Sequence, residues 1–347
     1  MKIKKYIGGQ LGYDNLILTK SNLLKNKQIY TNGRSALFFI LKNIKSKINK
    51  VYVPSYLCES ILQPIKKLGI KFIFYEIRNN FNFKIPKEKN SAIIILNYFG
   101  LENKKVENIS NNYKKNIYYI YDCTHNIFNK YDDIKGFNKK NIFRYASIRK
   151  YIPFSVGAIC NLDYINLKKI KNNNVKILNM FNTLIDRNKY FNNSKKNIYY
   201  ENQLLNKQDR YRLFENRTIF KSKLPENIEK KIKKYNLKRI LFIRNNNYNF
   251  LKKKLQKKVK IISKNICFPL YLTIFLIKDN KEKVFNYLAK QGIFAVNLWP
   301  IPKEVNRNNF KYPFALNKML ISFPVDHRYN VKDMEYMSSN ILKSLEL

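Results

Sequence analysis

Between residues 30 and 125 two apolar patterns alternate along the chain. Leu37, Ile40, Leu41 and Ile44 recur at helical spacing behind Asn32 and Gly33, which predicts a helix starting there. Val51–Tyr56 and Lys71–Ile77 read as strands, and Glu59–Leu68 as a helix with Pro64 inside it. Ser91–Asn97 and Asn116–Asp122 are continuous apolar runs, as expected of strands covered on both faces, with a polar helix candidate reaching to about Tyr113 between them. Strand–helix alternation of this kind implies right-handed crossovers and a mostly parallel sheet. Ligands in such sheets bind beyond the carboxyl ends of the strands, where Ser55, Tyr56, Asn97 and Asp122 fall.

The pattern is weaker elsewhere. Residues 1–29 contain Gly8 and Gly9 and little periodicity, which suggests an extended arm. Asn141–Phe143 and Gly157–Cys160 read as strands on either side of a polar turn that holds Lys150. From Asp163 to about Lys234 the chain is rich in lysine and asparagine and reads as helices and loops crossing between domains. Leu237–Leu251 fits a long helix, and the tail reads as strand Leu270–Ile277, helix Lys281–Lys290, strand Phe294–Trp299, strand Met319–Phe323 and a helix from Val331 to about Leu342. The expected fold class is α/β, with a large domain over 1–235 built on a mostly parallel central sheet and a smaller C-terminal α/β domain over 236–347.

Composition narrows the class. A chain of 347 residues, 45% hydrophobic and 15% aromatic, is neither disordered nor fibrous. No apolar run reaches membrane-spanning length and Met1–Tyr6 lacks a signal-peptide core, so the expected location is the cytoplasm, with no membrane partner. Cys58, Cys123, Cys160 and Cys267 form no CxxC pair, which fits reduced thiols better than disulfides or a metal site. The net charge of +45 invites a nucleic-acid partner. Against it, the lysines are spread from end to end, and asparagine and isoleucine are equally inflated, as codon bias in an AT-rich genome would produce. A positive field of this kind also favours an anionic small-molecule substrate.

The candidate chemistry lies in four places. A helix opening Gly33-Arg34-Ser35 sets free backbone N–H groups beside a hydroxyl and a guanidinium, which makes either a phosphate site or an ordinary capped helix. Lys150, in a turn with Ser147, could hold an aldehyde cofactor covalently. Asp122 ends an apolar strand and is either a helix N-cap or an acid under a pyridine nitrogen. His125, one of only two histidines, follows it by three residues and could reach a phenolic oxygen on the same ring.

The order of these pieces resembles the DegT/DnrJ/StrS family of pyridoxal-phosphate-dependent aminotransferases, fold type I of the aspartate aminotransferase superfamily. The likeness runs through Gly8-Gly9, Asn32–Leu37, Val53–Cys58, Asn97–Gly100, Asp122–His125, Ser147–Lys150 and Ser322–Tyr329. The resemblance implies that Lys150 carries pyridoxal 5'-phosphate as a Schiff base and shuttles the proton. It further implies that Asp122 faces the pyridinium nitrogen, that His125 lies beside the phenolic oxygen, and that Gly33, Arg34, Ser35 and Ser147 cradle the phosphate. An aromatic residue often covers the ring in this family, and here Tyr56 and Cys58 compete for that place. Asn97, Tyr98 and Arg328 are candidate substrate contacts, Arg328 being equally a structural ion-pair member.

The family's partner-subunit asparagine segment has no clear match between residues 160 and 235, where Asn182, Arg187 and Asn188 are candidates. With 9 glycines in the whole chain, loops that grip a nucleotide sugar would be trimmed. The activity implied is transfer of an amino group from an amino acid, glutamate first among them, to a keto-sugar, nucleotide-linked or not, for cell-surface glycan synthesis by a homodimer. Alternatives are a small non-sugar ketone as substrate, or a cofactor-less descendant acting as a basic binding protein. The deoxysugar dehydratases among the family's relatives carry histidine where this chain has Lys150.

Overall fold

Asn32 stops the backbone before the first helix by accepting from the Ser35 amide, so the run Gly33–Ile44 (α1) forms where its apolar spacing begins. The structure, a computed structural model, describes residues 6–9, 11, 24, 27–101, 116–127, 141–162, scattered positions between 177 and 214, and 224–262, 269–277 and 280–347. In chain order the strands are β1 (Ile7–Gly8), β2 (Lys50–Pro54), β3 (Lys71–Tyr75), β4 (Ile77–Arg78), β5 (Asn82–Phe83), β6 (Ser91–Leu96), β7 (Ile117–Asp122), β8 (Ile142–Ala146), β9 (Ile159–Cys160), β10 (Lys260–Ile261), β11 (Tyr271–Phe275), β12 (Ile293–Phe294) and β13 (Leu320–Pro324). The helices after α1 are α2 (Leu62–Lys67), α3 (Glu226–Lys233), α4 (Leu237–Leu255), α5 (Lys281–Lys290), α6 (Lys311–Met319) and α7 (Val331–Leu345).

Six strands form the main sheet in the order β3-β2-β6-β7-β8-β9. The first five run parallel and β9 returns antiparallel to β8. Every residue of β6 is buried, as its unbroken apolar run requires of a strand covered on both faces. The strand order reverses between β2 and β6, because the chain leaves β2 for β3 on one side and then crosses to β6 on the other. That reversal opens a crevice at the carboxyl ends of these strands.

The C-terminal part holds a three-stranded antiparallel sheet, β10-β11-β13, and its own core, in which Leu251 and Leu255 of α4 pack with Val284 and Leu288 of α5 and Met334 and Ile341 of α7. Two parts of this region depart from the sequence expectation. The strand expected over Phe294–Trp299 is reduced to β12 and a single antiparallel bridge between Val296 and Ser322, whose amides and carbonyls exchange bonds of 2.8 and 3.1 Å. Residues 311–319 form α6, whose Pro313 falls in the first turn, where its missing N–H is tolerated.

The N-terminal arm does not stand free. β1 pairs parallel with β12, and Gly8 adopts φ +113° where a Cβ would lie 2.3 Å from the Phe294 carbonyl oxygen. The helix expected before Tyr113 lies outside the described residues. No described helix is long and apolar enough to cross a membrane.

Candidate active site

Each strand flanking the reversal delivers a polar residue to the same end of the sheet. β2 leads to Cys58, β6 to Asn97, β7 ends in Asp122 with His125 following, and β8 leads to Ser147 and Lys150. These residues line one cavity together with Asn32, Gly33 and Arg34 from the start of α1. The cavity holds about 130 Å3, room for on the order of ten waters.

Asp122 is oriented by two uncharged donors. Its Oδ1 accepts from the Thr124 amide at 2.9 Å, and its Oδ2 accepts from the Tyr145 hydroxyl at 2.9 Å. Tyr145 stands opposite Asp122 in the β7–β8 register, and burial beside that carboxylate pushes its pKa well above the ordinary value. Asp122 thus keeps acceptor capacity, because a carboxylate offers about four lone-pair sites.

His125 is 4% exposed and accepts the Phe99 amide on Nδ1 at 3.2 Å. That bond fixes the tautomer, so Nε2 carries the proton. Burial, with the Lys150 charge adding to it, holds its pKa well below the usual value, so the ring is neutral. Among the described residues Nε2 is buried without a hydrogen-bond partner. A protonated nitrogen left unsatisfied beside a polar cavity calls for an acceptor in that cavity.

Lys150 closes a short 3-10 turn, Ile148–Lys150, between β8 and β9. Gly157 makes the turn possible: at φ +131° it passes beneath Ile148, where a Cβ would lie 2.9 Å from Ile148 Cγ1. The Arg149 amide donates to the Gly157 carbonyl at 3.2 Å and locks the crossing. Burial lowers the lysine's pKa; Cys58 and Asp122 oppose that shift, while Arg149 and Arg34 add to it. Among the described residues the amine makes no hydrogen bond or ion pair.

The helix start and Ser147 face each other across a gap. A Cβ on Gly33 would lie 3.5 Å from Ser147 Cβ and 4.0 Å from its Oγ, so any side chain there would fill the cradle. Ser35 is turned inward, its hydroxyl donating to Asn32 Oδ1 at 3.1 Å, and it does not line the cavity. The cavity wall there is made by Asn32, Gly33 and Arg34 instead.

Of the two residues competing for the ring face, Cys58 reaches the cavity. Tyr56 is fully buried in an aromatic cluster with Tyr98 and Trp299, and its hydroxyl donates to the Leu298 carbonyl. Tyr98 is also outside the lining, donating to the Tyr56 carbonyl. Arg328 is an ion-pair residue, with Nε 2.7 Å from Asp326 Oδ1 and Nη2 2.8 Å from Oδ2. Asn182 is exposed and lines a separate cleft with Asp186 and Lys207, while Arg187 and Asn188 lie outside the described residues.

Sequence reasoning missed Thr124, Tyr145, Arg149 and Trp299 in the cavity wall. Tyr145 had a readable signal, since it sits near the end of the strand next to the one that Asp122 ends. Trp299 comes from the C-terminal part, its ring centroid 5.2 Å from that of His125, and had none. A second cavity of about 470 Å3 shares Arg149 and Lys150 with the first and is bounded by Gly8, Gly9, Arg244 and Asp326. The lysine turn therefore forms the wall between two spaces.

No protein-family model matches the sequence, and no curated protein matches it. Solved structures match the fold along nearly the whole chain. Spr1654 of Streptococcus pneumoniae, described as a sugar aminotransferase and solved in its PLP form, superposes with a TM-score of 0.67 at 11% identity, covering 98% of this chain and 99% of its own. Helicobacter pylori PseC, an aminotransferase of pseudoaminic acid biosynthesis, gives 0.64 at 14% identity, covering 99% and 100%. A DegT DnrJ EryC1 StrS aminotransferase from Brucella abortus gives 0.59 at 13% identity, covering 91% and 85%. The fold is that of the sugar aminotransferases. It is the fold type I architecture, and at these identities the superposition speaks to the fold, while the case for chemistry rests on the cavity itself.

Proposed function

We propose that the protein is a pyridoxal-phosphate-dependent aminotransferase that moves an amino group from an amino acid, glutamate first among them, to a keto-sugar, nucleotide-linked in the reading we favour, for glycan synthesis. The observation that carries this reading is the meeting, in one cavity, of the Lys150 amine with Asp122 and the unsatisfied Nε2–H of His125. The donor set fits the cofactor group by group. The N–H groups opening α1 at Gly33 and Arg34 and the Ser147 hydroxyl would hold the phosphate across the Gly33 cradle. Asp122 would face the ring nitrogen with its remaining acceptor capacity, His125 Nε2–H would donate to the phenolic oxygen, and Cys58 would lie beside the ring.

When bound, pyridoxal phosphate supplies an electron sink for the negative charge that develops at the donor's α-carbon. The chain's own residues do the rest. Lys150 would hold the cofactor covalently until the donor's amine displaces it, and its released Nζ, kept toward the neutral form by burial, would take the proton from the α-carbon and return it. Asp122, fixed by Thr124 and Tyr145, would keep the ring nitrogen protonated. Trp299 and the aromatic cluster behind it would limit water at the cavity wall.

Further parts of this proposal are a cytoplasmic homodimer and a division of the chain at 235/236, with 1–235 binding the cofactor. The experiment is direct. Purified protein incubated with pyridoxal phosphate should turn yellow and lose the visible band on borohydride treatment. The pyridoxamine-phosphate form should then be converted by a keto-sugar from a panel of nucleotide-linked and free ketoses and simple ketones. A colourless, borohydride-insensitive protein rejects the enzyme reading in favour of a binding protein, and conversion by simple ketones alone rejects the sugar.

A further inference from the structure

Arg244 is 1% exposed, on the inward face of α4, and no part of the cofactor cavity uses it. A buried guanidinium is costly unless its donors are met. Here main-chain carbonyls rather than an acid meet two of them, and Nε has no hydrogen-bond partner among the described residues. Nη1 donates to the Leu270 carbonyl at 3.2 Å and Nη2 to the Lys150 carbonyl at 3.3 Å. The carbon at the centre of the guanidinium stands 5.0 Å from the Tyr151 ring centroid. The acid in its neighbourhood, Asp326, is gripped on both oxygens by Arg328.

The Lys150 carbonyl ends the short helical turn, so it has no partner within that turn. Arg244 supplies one from a residue 94 positions away, on the long helix that opens the C-terminal part. Both residues line the larger cavity. We infer that Arg244 is a positioning residue for Lys150: it fixes the height of the lysine turn between the two cavities and ties that height to the placement of α4. The inference rests on the cofactor reading above.

Other charged or titratable groups reach Lys150 from its surroundings: Arg34 on α1, Cys58 after β2, Asp122 and His125 around the end of β7, and Arg149 beside it. None of these is bonded to the Lys150 main chain in the way Arg244 is, and for that reason the test reads geometry rather than charge.

The experiment follows the rate at which pyridoxal phosphate becomes fixed to Lys150, by borohydride quenching at set times and mass spectrometry of the Lys150 peptide. Arg244→Met should slow this rate about tenfold, the scale of a misplaced reacting group. Arg244→Lys, which keeps one donor, should recover part of the loss. Leu251→Ala, a core truncation on the same helix, sets the control: it should lower the melting temperature without slowing the reaction. An Arg244→Met rate within twofold of wild type, or equal slowing in Leu251→Ala, overturns the inference. Should Arg244→Met fail to fold, Arg244→Lys decides, slowing of threefold or more supporting the inference and a smaller change overturning it. No adduct on wild-type protein overturns the cofactor reading instead, so the two failures are distinct.

Discussion

Asp122 and Asp326 are both carboxylates at the end of a strand with a cation nearby, yet the protein uses them in opposite ways. Asp326, buried to 5% exposure, accepts three donors from Arg328 alone, the amide at 3.2 Å, Nε at 2.7 Å and Nη2 at 2.8 Å. That fork holds its pKa far below the usual carboxylate range. Asp122 accepts two neutral donors, and the cation beside it, Lys150, forms no bond with it. A saturated pair stabilises a fold, whereas an acid and an amine kept apart in one cavity are available to a ligand. The difference teaches that the sign of the charges says little until the bonds are counted.

The strongest way to break the comparison is to remove the free amine. Lys150→Ala should abolish the borohydride-fixed adduct and lower transamination at least about a thousandfold, with the circular dichroism spectrum unchanged. Asp122→Asn should lower kcat several hundredfold, since the amide cannot keep a ring nitrogen protonated. Arg328→Ala should do the reverse, costing about 3 kcal/mol in urea unfolding because Asp326 is left buried and unpaired, while cofactor uptake stays at the wild-type level. An Arg328→Ala protein that unfolds normally but no longer binds cofactor would erase the distinction.

Lowering the pH gives a smaller effect for each group it titrates. Burial depresses the pKa of His125 and pushes that of His327 down to about 4, so both are neutral in the folded protein at pH 7. Their folded values lie below the unfolded one, so the unfolded chain takes up the protons first. Stability is fully present above about pH 6.5 and should fall as the pH drops from 6.5 toward 4, by about 2 kcal/mol per ring at pH 5. Urea midpoints at pH 7.5 and 5 measure it, and His327→Gln should flatten the slope. A midpoint that does not move between these pH values contradicts the burial assigned to the two rings.

The cavity wall was legible in the sequence because strand ends announce themselves. Apolar runs that stop at Asn97 and Asp122 locate the carboxyl edge, and the parallel order follows from the alternation. Lys150 became legible through its distance from Asp122 rather than through its own surroundings. What stayed hidden depends on register and on distant packing. Tyr145 meets Asp122 only because β7 and β8 pair in that register. Arg244 and Trp299 arrive from the C-terminal part, and no local pattern says which of many arginines turns inward. Tyr56 and Cys58, two residues apart after β2, were separable only by seeing which one enters the aromatic cluster.

Trp299 is the single tryptophan of the chain, and it stands in the cavity wall between His125 and the Tyr56 cluster. The indole emission of the whole protein therefore originates at one known point of the cavity that Lys150 also lines. A bound pyridine that absorbs in that spectral region would dim it, and a sugar pressing on the ring would shift its colour. The molecule carries its own optical gauge, able to follow the filling of this cavity in real time without a label.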